Sequence, residues 1–126
     1  MPFRQSLILV SALCAAACGG SSSSGYSSPP PAPTPTTPPP VTVSIVPGAR
    51  TMTTNAYSPN PLTVPRGTTV TWVNNDTSTH NAASNNVFNT PFIAPGGRES
   101  VTFQNAGTFP YFCTIHPGMV GTLTVQ

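Results

Sequence analysis

Tyr111-Phe-Cys-Thr-Ile-His-Pro-Gly-Met-Val-Gly-Thr-Leu-Thr124 places a thiol, an imidazole and a thioether, Cys113, His116 and Met119, each three residues from the next. Apolar runs flank these side chains, Phe109 to Phe112 before them and Val120 to Val125 after. Strand, short loop, strand is the reading this pattern dictates, with two soft sulfurs and a borderline nitrogen gathered in the loop.

Working outward, alternation of apolar and polar residues recurs through the chain. Val41-Thr-Val-Ser-Ile45, Thr68 to Val73 with Val70 and Trp72 on one face, and Glu99 to Phe103 with Val101 and Phe103 inward all have a period of two. Thr122 to Gln126 adds Leu123 and Val125 to the inward set, and Leu62-Thr-Val64 is a short extended piece. Pro47-Gly48, Pro59-Asn60-Pro61, Pro65-Arg-Gly67 and Asn105-Ala-Gly107 mark turns, and residues 46–61 read as irregular. No helical periodicity of useful length is present. The expectation is an all-β, Greek-key β-sandwich of about seven or eight strands.

The 126 residues hold four Arg or Lys and two acidic residues, so polar neutral side chains must solubilise the surface. No basic patch exists for nucleic acid, and none is expected to bind. Of three cysteines, Cys14 and Cys18 precede the patterned region, and Cys113 stands alone within it, which excludes a disulfide there.

The first 40 residues read as an address and a tether. Arg4, the apolar Leu7 to Leu13 and Ala15-Ala-Ala-Cys18 form a signal too short to span a bilayer. Ala-Ala-Ala-Cys followed by Gly19-Gly resembles the lipobox of bacterial lipoproteins, although Ala15 stands where Leu is usual. That resemblance implies removal of residues 1–17 and a membrane anchor through lipidated Cys18; ordinary cleavage, leaving a stray thiol, is the alternative. Residues 18–40, rich in Ser and then Pro, read as a spacer whose second half is extended polyproline II. The domain is then 41–126, exported and held at the cell envelope or in the periplasm.

Each donor has an ordinary reading when taken singly: Cys113 as a small core residue, His80 as a solvated loop histidine, Met119 as core packing. Together they are harder to dismiss. The chain has two histidines, His80 and His116, and two imidazoles, one thiolate and a weak axial thioether describe a copper electron-transfer site. Zinc is the competing ion, but thioether is a poor zinc ligand.

From about Tyr57 onward the sequence resembles the cupredoxins, the type 1 blue-copper family, and within it amicyanin and its plastocyanin-like relatives. Tyr57-Ser-Pro-Asn-Pro-Leu-Thr-Val-Pro-Arg-Gly-Thr-Thr-Val-Thr-Trp-Val-Asn74, His80-Asn81 and Gly107-Thr-Phe-Pro-Tyr-Phe-Cys-Thr-Ile-His-Pro-Gly-Met-Val-Gly121 carry the likeness. It implies one copper ion held by His80, Cys113, His116 and Met119, with Asn81 bracing the ligand loop. It also implies one-electron transfer through the exposed edge of His116 to docking redox proteins. Pro91, Phe92, Pro95, Pro117 and Gly118 are candidates for that docking surface. A monomeric electron carrier, not an enzyme, is expected. Copper storage or delivery with the same ligands is the alternative, and a structural domain without redox use is a third.

Overall fold

The computed structural model describes residues 31, 32 and 34–126. The signal segment, Cys18 and most of the tether therefore lie outside the described residues. Residues 34–40 form no strand or helix and are largely exposed.

Nine strands follow: β1 Val41–Ile45, β2 Tyr57–Ser58, β3 Leu62–Val64, β4 Thr68–Asn74, β5 Ala83–Ser84, β6 Phe88–Asn89, β7 Arg98–Phe103, β8 Gly107–Phe112 and β9 Val120–Val125. The expectation of seven or eight falls short because β2, β5 and β6 have two residues each, too few for a period of two to register. Residues 46–61 are also less irregular than expected, since they hold β2 and a single 3-10 turn, Ala49–Thr51.

One sheet runs β2-β1-β4-β7 and the other β3-β9-β8-β5-β6. Two pairs are parallel, β1 with β4 and β3 with β9, so both connections must cross between the sheets. The remaining pairs are antiparallel. This is the expected all-β sandwich.

Alternation decides what lies between the layers. In β4, Thr68, Val70, Trp72 and Asn74 point inward and their neighbours are half-buried. Val43 and Ile45 join them from β1, and Tyr111, Leu123 and Val125 face them from the second sheet. Trp72 is at the centre. Its ring stacks on Phe88 at 5.4 Å and meets Tyr111 edge-on at 5.7 Å, while Tyr111 meets Tyr57 at 4.9 Å. Such pairs favour one packing over others by about 0.5–1.5 kcal/mol each beyond area burial. Tyr111 fits only because its cross-strand partner is Gly121: a Cβ there would lie inside the Tyr111 ring. Outside, the polar face of the first sheet is stitched by hydroxyl pairs, Thr69 with Thr102 and Thr71 with Ser100, both at 2.8 Å.

Candidate metal centre

His80 is positioned from the end of β4, where the inward row that holds Val70 and Trp72 finishes on Asn74. Asn74 faces inward like Val70 and Trp72, and its amide cannot be buried without partners. Its Nδ2 donates to the carbonyls of Ser78 at 2.7 Å and Ile93 at 2.8 Å, and its Oδ1 accepts from the Asp76 amide at 2.9 Å. The chain after β4 is thus folded back on itself. His80 emerges from that turn and pairs with Ile93 through both backbone groups, N–H to O at 3.2 Å and O to N–H at 2.7 Å.

The other three expected donors lie between β8 and β9. The Cys113 amide donates to the Met119 carbonyl at 3.1 Å, and the Met119 amide donates to the His116 carbonyl at 2.9 Å. These two bonds close the loop so that Cys113 and Met119 are fully buried while His116 keeps an edge toward solvent.

Asn81 joins the two segments. Its Oδ1 accepts from the Thr114 amide at 2.8 Å and the Thr114 hydroxyl at 3.1 Å, and its Nδ2 donates to Asn89 at 3.0 Å. Tyr57 supports the same residue from the core, its hydroxyl donating to the Asn81 carbonyl at 2.6 Å. Burial, together with the nearby Cys113 and Tyr111, pushes the Tyr57 phenol far up, so it stays a donor. The bracing implied for Asn81 is what the geometry provides. Of the two aromatics before Cys113, Tyr111 is the one that packs inward and Phe112 is half-buried.

These supports bring three donor atoms together. Cys113 Sγ lies 3.8 Å from His80 Nδ1 and 3.8 Å from His116 Nδ1, and the two Nδ1 atoms are 3.1 Å apart. A point equidistant from the three lies about 2.1 Å from each, which is a bonding distance for a first-row metal ion to N and S donors. Two imidazole nitrogens and a buried thiol aimed at one point match the soft, trigonal donor set that copper favours. Among the described residues these side chains form the His/Cys/Asp/Glu group that could hold an ion, and Met119 caps the same loop.

The protonation states suit that use. Burial lowers the His116 pKa, and the nearby His80 and Arg50 lower it further against the opposing effect of Asp76, so its imidazole is kept neutral and able to ligate. The far nitrogen of His80, Nε2, is 2.8 Å from Asp76 Oδ2. Burial alone would raise the Asp76 pKa, but hydrogen bonds from His80 and from the amides of Gly48, Thr77 and Arg50 outweigh it and bring the group to about 2. An ionised carboxylate can only accept. Nε2 of His80 is therefore the nitrogen that donates to it, and Nδ1 is the one turned toward Cys113 and His116.

The Cupredoxin-like domain family model matches residues 40–125. The chain belongs to the cupredoxin family. Among cupredoxins it is 38% identical over 84 residues to plastocyanin of Scenedesmus fuscus, a match covering 56% of this chain and 86% of the plastocyanin. It is 34% identical over 71 residues to amicyanin of Paracoccus versutus, covering 52% of this chain and only 54% of the amicyanin. A solved structure described as a novel purple cupredoxin from Nitrosopumilus maritimus superposes with a TM-score of 0.63 at 37% identity, over 68% of this chain and 99% of that one. Family membership and the donor set agree on the cofactor expected from sequence, one copper ion.

Asp76 and Asn74 are the functional residues that sequence reasoning missed. Both sit where the alternation of β4 ends, so a period of two assigns them no role. The available signal was an acidic residue four positions ahead of a ligand-type histidine, the carboxylate–histidine pairing that orients imidazoles at metal sites.

Proposed function

We propose that the domain is a single-copper electron carrier, in which His80, Cys113, His116 and Met119 would hold the ion. The observation that carries this reading is the convergence of Cys113 Sγ and two Nδ1 atoms on one point, at separations of 3.1 to 3.8 Å. When bound, the copper ion supplies a one-electron couple between Cu(I) and Cu(II).

The chain's own residues supply the rest. Asn81, Tyr57, Asn74 and Asp76 fix the donors from outside, so that little rearranges when the charge changes. Cys113, Met119 and His80 are sealed from water at 0% exposure, and the half-buried His116 is the route out. Around it lie exposed apolar side chains: Ile115 and Pro117 on its own loop, and Phe92, 60% exposed, beside the Ile93 that pairs with His80. Met52 reaches the same loop, its carbonyl lying 3.9 Å from where a Gly118 Cβ would be. This surface suits brief docking of a redox protein through a small apolar patch with little charge. A braced, buried site favours a carrier over the delivery alternative, because cargo release requires donors that open readily. Export and a membrane anchor through Cys18, which rest on the leader and tether sequence, and a monomeric state complete the reading.

Copper-loaded protein should show the intense visible absorption of a copper–thiolate bond and cycle reversibly by one electron. A colourless protein that retains only Cu(I) would defeat the carrier reading and favour delivery. For the anchor, Cys18→Ser should move the protein from the membrane fraction to the soluble one; unchanged retention refutes lipidation.

A further inference from the structure

Of the two acidic residues in the described region, Glu99 is half-exposed and Asp76 is buried. A buried carboxylate is costly unless every lone pair it turns inward is met. Here the two oxygens are divided. Oδ1 accepts from the backbone amides of Gly48 at 2.9 Å and Thr77 at 2.8 Å, which hold it from two directions. Oδ2 faces His80 Nε2 at 2.8 Å, and the Arg50 amide adds a further donor to the carboxylate. Gly48 belongs to the loop after β1, where φ is 77°, a left-handed conformation that suits glycine and turns its amide toward the carboxylate. The carboxylate is thus aimed from outside at the one imidazole of the site that is wholly buried.

The geometry points to Asp76 as a positioning residue that holds His80 in its Nε2–H tautomer and, through the imidazole, biases the bound ion toward Cu(II). Two effects follow from one contact. The acceptor keeps the proton away from Nδ1, leaving that lone pair open. The full negative charge also raises the electron density that Nδ1 presents, and such density stabilises the more positive metal state. A neutral acceptor in the same place would supply the first effect without the second. This inference rests on the copper reading above.

Asp76→Asn tests both, because asparagine has one acceptor and one donor end. Two amides converge where Oδ1 sits, so the asparagine carbonyl must turn there and its NH2 must face His80 Nε2. Nε2 then has to accept, and the proton moves to Nδ1, inside the donor triangle. Nitrogen–proton NMR of the imidazoles in the metal-free full-length protein reads this directly: Nε2–H in the wild type, Nδ1–H in the variant. Asp76→Ala removes both ends and should give a mixture of tautomers, with an intact backbone spectrum reporting the fold; it serves alone if the Asn variant does not fold.

With copper, both variants should bind Cu(II) at least about 10-fold more weakly relative to Cu(I), a rise of roughly 59 mV in potential for a one-electron couple. A merely structural brace would weaken both ions alike. An unchanged His80 tautomer, or a Cu(II)/Cu(I) affinity ratio within about twofold of wild type, overturns the proposal. Because the tautomer is read without copper, a wild type that binds no copper would refute the carrier function separately.

Discussion

Replacing Asn81 with alanine removes a side chain that ties the His80 segment to the residue after Cys113. Three hydrogen bonds disappear, but their costs differ. Asn89 is exposed and the Thr114 hydroxyl lies near solvent, so water can replace Asn81 at both. The Thr114 amide is different, because it is part-buried and its 2.8 Å partner belongs to a residue that is itself 2% exposed. An orphaned part-buried amide costs about 1–3 kcal/mol, and each of the two remaining bonds about 0.5–1 kcal/mol net, so the sum expected is roughly 2–5 kcal/mol. For a domain of this size that is a fall in Tm of roughly 10–40 °C. Urea unfolding of the metal-free protein measures it. Thr114→Val should cost under about 1 kcal/mol, since it removes only the hydroxyl bond, and the double variant should cost no more than Asn81→Ala alone. Copper affinity should fall about 10- to 100-fold in Asn81→Ala, because the residue after Cys113 is released. A loss below about 0.5 kcal/mol, or strict additivity with Thr114→Val, would show that this bridge does not hold the site together.

Gly121→Ala should destabilise by at least about 1–3 kcal/mol in thermal unfolding, because its Cβ would occupy the Tyr111 ring, and Tyr111→Leu should relieve most of that loss; equal costs in both backgrounds refute the clash. Asp76 sets an acid limit. Its pKa is 3.8 when unfolded and about 2 when folded, so its stabilisation is complete above about pH 4 and is lost as pH falls through about 2. The urea midpoint of the wild type should therefore drop over that window more steeply than that of Asp76→Ala; parallel profiles refute this. Met119→Leu nearly conserves volume at a fully buried position and should cost under about 1.5 kcal/mol, with copper still held by His80, Cys113 and His116. Complete loss of copper from that variant, measured by metal analysis after dialysis, would make Met119 an indispensable ligand.

The donors on the loop were legible because their geometry is local. Cys113, His116 and Met119 are close in the chain, and two backbone bonds within the loop suffice to bring them together. The sheet layers were legible for a similar reason: in β4 the alternation of Val70 and Trp72 with Thr69 and Thr71 is the burial pattern itself. His80 and Asn81 could be named from their likeness to a family, but nothing in their own neighbourhood places them beside Cys113.

What brings them there is a set of contacts between segments far apart in the chain. Gly48 meets Asp76 across 28 residues, Tyr57 meets Asn81 across 24, and Asn60 reaches the amide of Thr122 across 62. Single polar side chains leave no periodic trace, and a two-residue strand such as β5 is too short to show one. Asp76 follows β4 as an acidic residue without a pattern around it, and only folding sets its carboxylate 2.8 Å from Nε2 of His80. Residue order determined the identity of the soft donors and the layers that enclose them. The proton position on His80 was decided in three dimensions, because it depends on which acceptor the packed chain places behind the ring.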